Sequence, residues 1–316
     1  MKLAFVLDPL DTIKTYKDSS YAMMEEAARR GHALFVLHQE GLLCRDGEVR
    51  AAVWPIELTG DKYAWHRLGE RRETALAEFD AVLMRKDPPF DIEYIYSTYL
   101  LELAQRQGAR VVNDPRALRD YNEKFSITRF TQFTVPTLVT RLEEEIRSFL
   151  AEHRDIVLKP LDGMGGASVF RLHDADHNIG VVIETLTHYG RRTVMAQRYI
   201  PEIVEGDKRI LLIDGEPAPY ALARIPKAGE TRGNLAAGGR GVAQPLSARD
   251  REIGETVGAA LRQDGLMLVG LDVIGDYLTE VNVTSPTGMR EIHDQTGFSV
   301  AGMLVDALER MRAPAK

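Results

Sequence analysis

The sequence contains a single cysteine, Cys44, in 316 residues. No internal disulfide can form, and a reducing cytoplasm is the simplest setting. The thiol reads as a small buried or half-buried side chain, not as a nucleophile. No apolar run approaches the roughly 18 residues of a membrane helix, and Met1-Lys2-Leu3 opens directly into a strand, so neither a membrane partner nor a signal peptide is expected. An excess of positive charge is missing too. Forty basic residues stand against 47 acidic ones, a net charge of -7, which argues against a nucleic-acid partner because that backbone is held mainly by lysine and arginine. The first strand-to-helix turn, DPLDTIKTYKDSS, lacks the G-x-G-x-x-G that a dinucleotide needs. Absent as well are a P-loop and the H-R-D and D-F-G of protein kinases. Internal repeats and low-complexity segments are missing. What remains has the composition of a soluble enzyme, long enough for two or three packed units.

The pattern along the chain is of mixed α/β type. Leu3 to Leu7 reads as a buried parallel strand, Tyr21 to Arg30 as a helix capped by Asp18, Ser19 or Ser20 and stopped by Gly31, and Ala33 to Leu37 as a second strand. Glu40 to Glu73 is polar and reads as irregular, with an Asp46-Gly47 turn. Strand Ala81 to Met84, helix Ile92 to Gln107 and strand Arg110 to Asn113 complete an open, mostly parallel α/β sheet domain over residues 1–122. A short helix from Glu123 to Phe133 opens a second unit, 123–200, with strand Thr137 to Thr140, helix Glu143 to His153, a strand pair within Asp155 to Phe170, and strand Thr193 to Ile200. The third unit, 201–316, holds two hairpins: Arg209 to Asp214 with Pro219 to Ile225, and Met267 to Ile274 with Tyr277 to Thr284. Its helices run from Ser247 to Gln263 and from Thr296 to Met311.

Residues suited to chemistry gather where apolar strands end. In DIVLKPLDGMGGASVF a strand delivers Lys159, then Gly163, Gly165 and Gly166 clear side chains away from backbone N–H groups, an arrangement that suits phosphate. The alternative is an ordinary glycine hairpin. Arg85 follows the strand Ala81 to Met84, where open α/β sheets bind ligands, and a guanidinium can grip a carboxylate through two hydrogen bonds. The other reading is a proline-stiffened surface turn. Gln197 sits among apolar neighbours where the backbone could read the edge of a base. Pro226 to Gly241 carries five glycines with Arg232 and Arg240, and Arg224 enters it from a strand. It reads as a lid over an anion or as a surface insertion.

Glu280 and Asn282 are two apart on one strand and therefore share a face. A three-residue loop, Gly275-Asp276-Tyr277, sets Asp272 directly across from Glu280, whereas a two-residue turn slips the register and turns Asp272 away. Two carboxylates and an amide oxygen on one face suit a hard cation such as Mg²⁺, with phosphates completing the shell. The alternative is a solvated polar face.

Six stretches in order carry a resemblance: MRKDPPFD (Met84 to Asp91), NEK (Asn122 to Lys124), LKPLDGMGGAS (Leu158 to Ser168), GDKR (Gly206 to Arg209), ARIPKAGETRGNLAAGGRG (Ala223 to Gly241) and TEVNVTSPTG (Thr279 to Gly288). By these the chain resembles the bacterial glutathione synthetase family of the ATP-grasp superfamily along its whole length. The resemblance implies an ATP-grasp fold, preceded by an open α/β sheet domain, with Lys124 and Lys159 on the ATP phosphates. Gly163 to Ser168 would be a small flap over them, and Gln197, Tyr199 and Ile200 would hold adenine. Asp207 would take the ribose, and Asp272, Glu280 and Asn282 would take Mg²⁺, with Mn²⁺ as a substitute. Arg209 and Arg224 would face the reacting groups. The implied substrates, γ-glutamylcysteine and glycine, would be held by Arg85, Arg232, Ser285, Thr287 and Gly288. A cytoplasmic homotetramer is implied as well. Glu291 to Gly297 carries no readable signature. Another ATP-grasp ligase, or a non-catalytic ATP-binding regulator, would share the nucleotide residues.

Overall fold

The computed structural model describes residues 1–61, 63–227 and 238–312. Arg232 and most of the expected lid lie outside the described residues.

β1 (Lys2–Leu7) is covered from Leu3 onward, as a strand packed on both faces must be. α1 (Ser19–Arg29) starts at Asp18, whose carboxylate accepts the Tyr21 backbone N–H. β2 (Ala33–His38) returns parallel to β1. The stretch expected to be irregular instead forms β3 (Leu42–Arg45), β4 (Glu48–Leu58), β5 (His66–Leu68) and β6 (Arg72–Ala75), with β3, β5 and β6 all antiparallel to β4. Asp46 and Gly47, at φ of 51° and 85°, make the tight turn between β3 and β4. Charged residues such as Glu48, Glu57, Arg67 and Arg72 on the exposed side hide these strands from a hydrophobicity reading. Cys44, on β3, is exposed. β7 (Ala81–Met84) flanks β1 in parallel, and after α2 (Ile92–Arg106) β8 (Val111–Val112) pairs in parallel with β7. α3 (Pro115–Asp120) follows. The parallel centre is thus β2-β1-β7-β8, and antiparallel strands extend the sheet beyond β2.

A 3₁₀ stretch, Phe125–Phe133, leads into the next layer. β9 (Thr137–Thr140), α4 (Glu143–His153), β10 (Asp155–Pro160), β11 (Phe170–His173), α5 (Ile179–Thr187) and β12 (Val194–Arg198) build a sheet ordered β11-β10-β12-β9. Ile146 and Leu150 of α4 and Ile183 and Leu186 of α5 close its core over Ile156, Leu158 and Val194. The last sheet contains β13 (Asp207–Ile213), β14 (Glu216–Ile225) and β15 (Arg240–Pro245), then, after α6 (Ala248–Gln263), β16 (Leu268–Ile274) and β17 (Tyr277–Asn282), in the order β15-β14-β13-β16-β17. Two helices close the chain where one was expected. α7 (Met289–Thr296) ends at Gly297, whose φ of 74° stops it, and α8 (Val300–Arg312) follows.

The β16–β17 hairpin corrects the expected loop. Ile274 pairs with Tyr277, so the turn is the two residues Gly275-Asp276. The pairing then shifts: Val273 faces Leu278, yet Asp272 faces Glu280, and Thr279 is the extra residue of a β-bulge. The Thr279 hydroxyl donates to the Asp272 carbonyl oxygen at 3.1 Å. Asp272 and Glu280 are opposite each other as expected, but by a bulge and not by an odd loop.

Asn113 joins the first sheet to the last. Its amide oxygen accepts the Met267 and Leu268 N–H groups, each at 2.8 Å, and its amide nitrogen donates to the Leu268 and Val283 carbonyls at 2.8 and 2.9 Å.

Candidate active site

Between the second and third sheets lies a cleft lined by Lys124, Lys159, Gly163, Gly165, Gly166, Gln197, Tyr199, Ile200 and Asp207. Val157, Val169, Ile203 and Ile274 supply apolar walls. Ser168 is exposed and is not among the lining residues. Gln197 is anchored by a 3.2 Å bond from its amide nitrogen to the Thr137 hydroxyl, and Arg171 lies 3.6 Å from the centre of the Tyr199 ring. A cleft walled partly by apolar side chains, with an amide and backbone edges, suits an aromatic base.

Two buried lysines mark the other end. The Lys159 ammonium lies 3.4 Å from the Thr279 carbonyl oxygen and 3.9 Å from Glu280, and burial pulls its pKa down against the attraction of Glu280. The Lys124 ammonium donates to the Gly163 carbonyl oxygen and lies 3.5 Å from Glu280. Lys124 therefore ties the glycine flap to the carboxylate hairpin. Gly165 and Gly166 have φ of 62° and 78°, the left-handed region that lets consecutive N–H groups converge on an anion. Two cations sharing one carboxylate leave positive charge for phosphate.

Asp272 links this cleft to the next. Arg209 holds it by bonds of 2.5 and 3.1 Å, and Arg224 by one of 2.8 Å. Burial pushes its pKa up, but the two guanidinium groups outweigh that and keep it well below the usual carboxylate range. Arg224 also pairs with Asp207 at 2.5 Å. Burial nonetheless pushes Asp207 up to about 6, and its Oδ1 is buried without a hydrogen-bond partner among the described residues. Asn282 donates through its amide nitrogen to the Gly270 carbonyl at 3.1 Å, which leaves the amide oxygen for a ligand. Asp272, Glu280 and Asn282 offer oxygen alone, the donor set of a hard divalent cation. Among the described residues no group of three or more His, Cys, Asp or Glu could hold a metal unaided. The set fits a cation that arrives with phosphate oxygens.

A second cleft of about 410 Å³, large enough for a dipeptide, is lined by Arg209, Arg224, Asn282, Ser285 and Thr287, and Gly165 borders both clefts. Ser285 donates to Asp87, and the Arg209 guanidinium reaches the Thr287 carbonyl oxygen at 3.3 Å. Gly288, at φ of 120°, packs near Arg209 and Leu222. Arg85 is not among the lining residues. It is 5% exposed, donates to the Ser20 hydroxyl at 3.0 Å and to the Pro286 carbonyl at 3.1 Å, and so braces the turn from behind. Sequence reasoning missed Lys14, Lys17, Asp18, Glu123 and Glu291, which line this cleft. Asp18 and Glu123 carried the signals of a helix cap and of the NEK motif. Glu123 accepts the N–H groups of Val283 and Thr284 at 3.1 and 3.2 Å and the Thr284 hydroxyl at 2.8 Å, fixing the chain just beyond β17.

The family model for the prokaryotic glutathione synthetase ATP-grasp domain matches residues 123–297, and that for the N-terminal domain of the same family matches residues 1–119. A glutathione synthetase of Nitrosomonas europaea is 67% identical over 98% of each chain. That of Pseudomonas aeruginosa is 57% identical over 98% of this chain and 97% of its own. Among solved structures, the D-cycloserine synthetase DcsG superposes over 99% of this chain and 100% of its own with a TM-score of 0.67 at 18% identity. The ATP-grasp ligase PsnB, solved with Mg and ADP, gives 0.66 at 20% identity over 98% of each chain. At such identities the likeness is one of fold.

Proposed function

We propose that this chain, which belongs to the prokaryotic glutathione synthetase family, joins the cysteinyl carboxylate of γ-glutamylcysteine to the amine of glycine, converting ATP to ADP and phosphate. One observation carries the reading beyond family membership. The two buried lysines and the Arg209–Asp272–Arg224 cluster occupy adjoining clefts that meet at Gly165, so nucleotide phosphates and an acyl group can be held side by side.

A carboxylate is a poor electrophile, and phosphorylation cures this. The γ-phosphoryl group passes in line from ATP to a carboxylate oxygen, and ADP departs. The glycine amine then attacks the acyl carbon and gives up one N–H proton as the amide forms, the C–O bond breaks with its electron pair leaving on phosphate, and phosphate or water takes the proton. Lys124 and Lys159 hold the phosphates, and Gln197, Tyr199 and Ile200 hold the adenine. The free oxygen of Asp207 accepts a ribose hydroxyl. Arg209 and Arg224 stabilise charge that grows on the transferring group. The Ser285, Thr287 and Gly288 turn, braced by Arg85, positions the peptide, with Arg232 assigned to the same substrate. Holding the partners together supplies on the order of 7–11 kcal/mol of the barrier. The flap from Gly163 to Ser168 keeps water from the acyl phosphate. Asp272, Glu280 and Asn282 would hold Mg²⁺ or Mn²⁺, which neutralises phosphate charge when bound.

Units at 1–122, 123–200 and 201–316, a homotetramer and a cytoplasmic setting belong to the same proposal. Among the described residues no helix is long and apolar enough to cross a membrane. The deciding experiment is ADP release with γ-glutamylcysteine and glycine. Release only with another acid or amine, such as D-alanine or glutamate, would overturn the substrate assignment, and nucleotide binding without hydrolysis under every acceptor would favour a regulator.

A further inference from the structure

One wall of the peptide cleft has no task in the reaction above. It consists of the loop from Asp8 to Asp18 after β1 and the first turn of α7. Arg290 clamps the two together, donating to the Thr15 carbonyl at 3.2 Å and pairing with Glu25 at 2.8 Å, while the Met289 N–H donates to the Ser19 hydroxyl oxygen at 3.3 Å. The clamp brings Lys17 from the loop and Glu291 from α7 into the cleft that Arg209 and Arg224 line, and neither residue lines the nucleotide cleft.

Glu291 is the informative member. Its Oε2 is buried and has no hydrogen-bond partner among the described residues. A buried carboxylate oxygen left without a donor is destabilising by about 1–3 kcal/mol or more, and in native proteins such an atom calls for an explanation. Lys17 attracts it through space. Asp18, the other acid on this wall, already accepts the Tyr21 N–H at 2.7 Å. In a cleft shaped for a peptide, the donor missing from Glu291 is one that the ligand brings.

We propose that Glu291 and Lys17 read the zwitterionic head of the γ-glutamyl group, Glu291 accepting from its α-ammonium and Lys17 pairing with its α-carboxylate. The inference rests on the function proposed above. Among the charged groups of the two substrates, the choice follows from the chemistry. The cysteinyl carboxylate must stay at the phosphoryl group, and glycine must present a neutral amine to the acyl carbon, so its nitrogen cannot remain locked on a carboxylate. The glutamyl ammonium alone stays cationic throughout and needs a permanent acceptor. Contacts to the head that are equally strong in the ground and transition states raise affinity for the peptide and leave the chemical step unchanged.

The test uses the full chain, saturating ATP and glycine, and three acyl substrates: γ-glutamylcysteine, glutaryl-cysteine, which lacks the ammonium, and 4-aminobutyryl-cysteine, which lacks the α-carboxylate. Glu291→Gln should raise KM for γ-glutamylcysteine about 10- to 100-fold with kcat and the KM for ATP nearly unchanged, and should leave KM for glutaryl-cysteine where it was. Lys17→Met should mirror it, weakening γ-glutamylcysteine but not 4-aminobutyryl-cysteine. Equal losses on all three substrates would overturn the inference in favour of a purely structural wall. An unchanged KM in Glu291→Gln would overturn it too, leaving a carboxylate that is merely hydrated. Failure of the unaltered enzyme to release ADP with γ-glutamylcysteine and glycine overturns the functional reading itself, and is distinguishable from both.

Discussion

Asp272 and Glu280 stand directly opposite each other on β16 and β17, although the two-residue turn that joins the strands would by itself set them out of register. The bulge at Thr279 restores the opposition. Bulges re-aim side chains, and this one turns Glu280 towards Lys124 and Lys159 while Asp272 stays with Arg209 and Arg224.

Glu280→Gln should therefore lower turnover at saturating ATP and Mg²⁺ by about 100-fold or more, since it removes a carboxylate proposed to hold the cation that neutralises the phosphates. The change also leaves the buried ammonium groups of Lys124 and Lys159 without that carboxylate, so the melting temperature should fall by about 2 °C or more. Turnover and melting curves check both, and a near-normal rate removes Glu280 from the cation site.

Gly270 leaves no room for a side chain. A Cβ there would meet Arg209 Cδ and Pro286 Cβ, each at 2.8 Å. Gly270→Ala should displace the arginine or the turn, lower kcat about tenfold or more, and reduce stability by about 1–3 kcal/mol. Its KM for ATP should stay within about threefold of normal, because the nucleotide cleft is untouched.

Lys159 is buried, and that burial lowers its pKa against the attraction of Glu280. Replacing it by methionine should raise KM for ATP by about tenfold or more while the nucleotide-free protein melts no lower than before. A parallel loss of stability and ATP affinity would assign Lys159 a structural role.

Asp207 supplies a pH signature. Its pKa in the fold is about 6, above its unfolded value of 3.8. Between those values the folded state binds more protons, so this group makes stability fall as pH rises from about 4 to 6. The effect is on the order of 1–3 kcal/mol and is absent from Asp207→Asn. Melting temperatures of the two proteins, measured from pH 4.5 to 7, should show the native aspartate gaining relative to asparagine as pH falls. Parallel curves would contradict the raised pKa.

Asn113→Ala should destabilise the fold by about 3 kcal/mol or more, because four backbone groups of Met267, Leu268 and Val283 lose their partner at once. Denaturant titration measures it. A change below about 1 kcal/mol would show that water replaces the side chain easily.

Local pattern determined much of this protein. The apolar runs of β1, β2, β7, β10, β13 and β16, bounded by turn residues, read as covered strands and fold as strands, and Lys159 at the end of β10 with the glycines that follow it suggests an anion site from the residues themselves. Strand alternation was enough to place Glu280 and Asn282 on one face. The β3–β6 meander escaped because its charged outer face masks the alternation, and α7 escaped because it is short and polar, with Met289 and Ile292 its only buried residues.

What lay beyond the sequence was every relation set by packing between distant segments. Arg85 reads as an arginine at a ligand-binding strand end, yet whether it enters the cleft or braces the turn behind it depends on Pro286, 201 residues away. Lys124 gains its position only by reaching the Gly163 carbonyl and Glu280. Glu291 has no local signature because its buried oxygen, without a hydrogen-bond partner among the described residues, exists only once the loop after β1 has been clamped over α7. Periodicity reports which way a side chain leaves its own strand or helix. What it meets there, and whether a charge finds a partner, is decided by the long-range contacts that close the clefts.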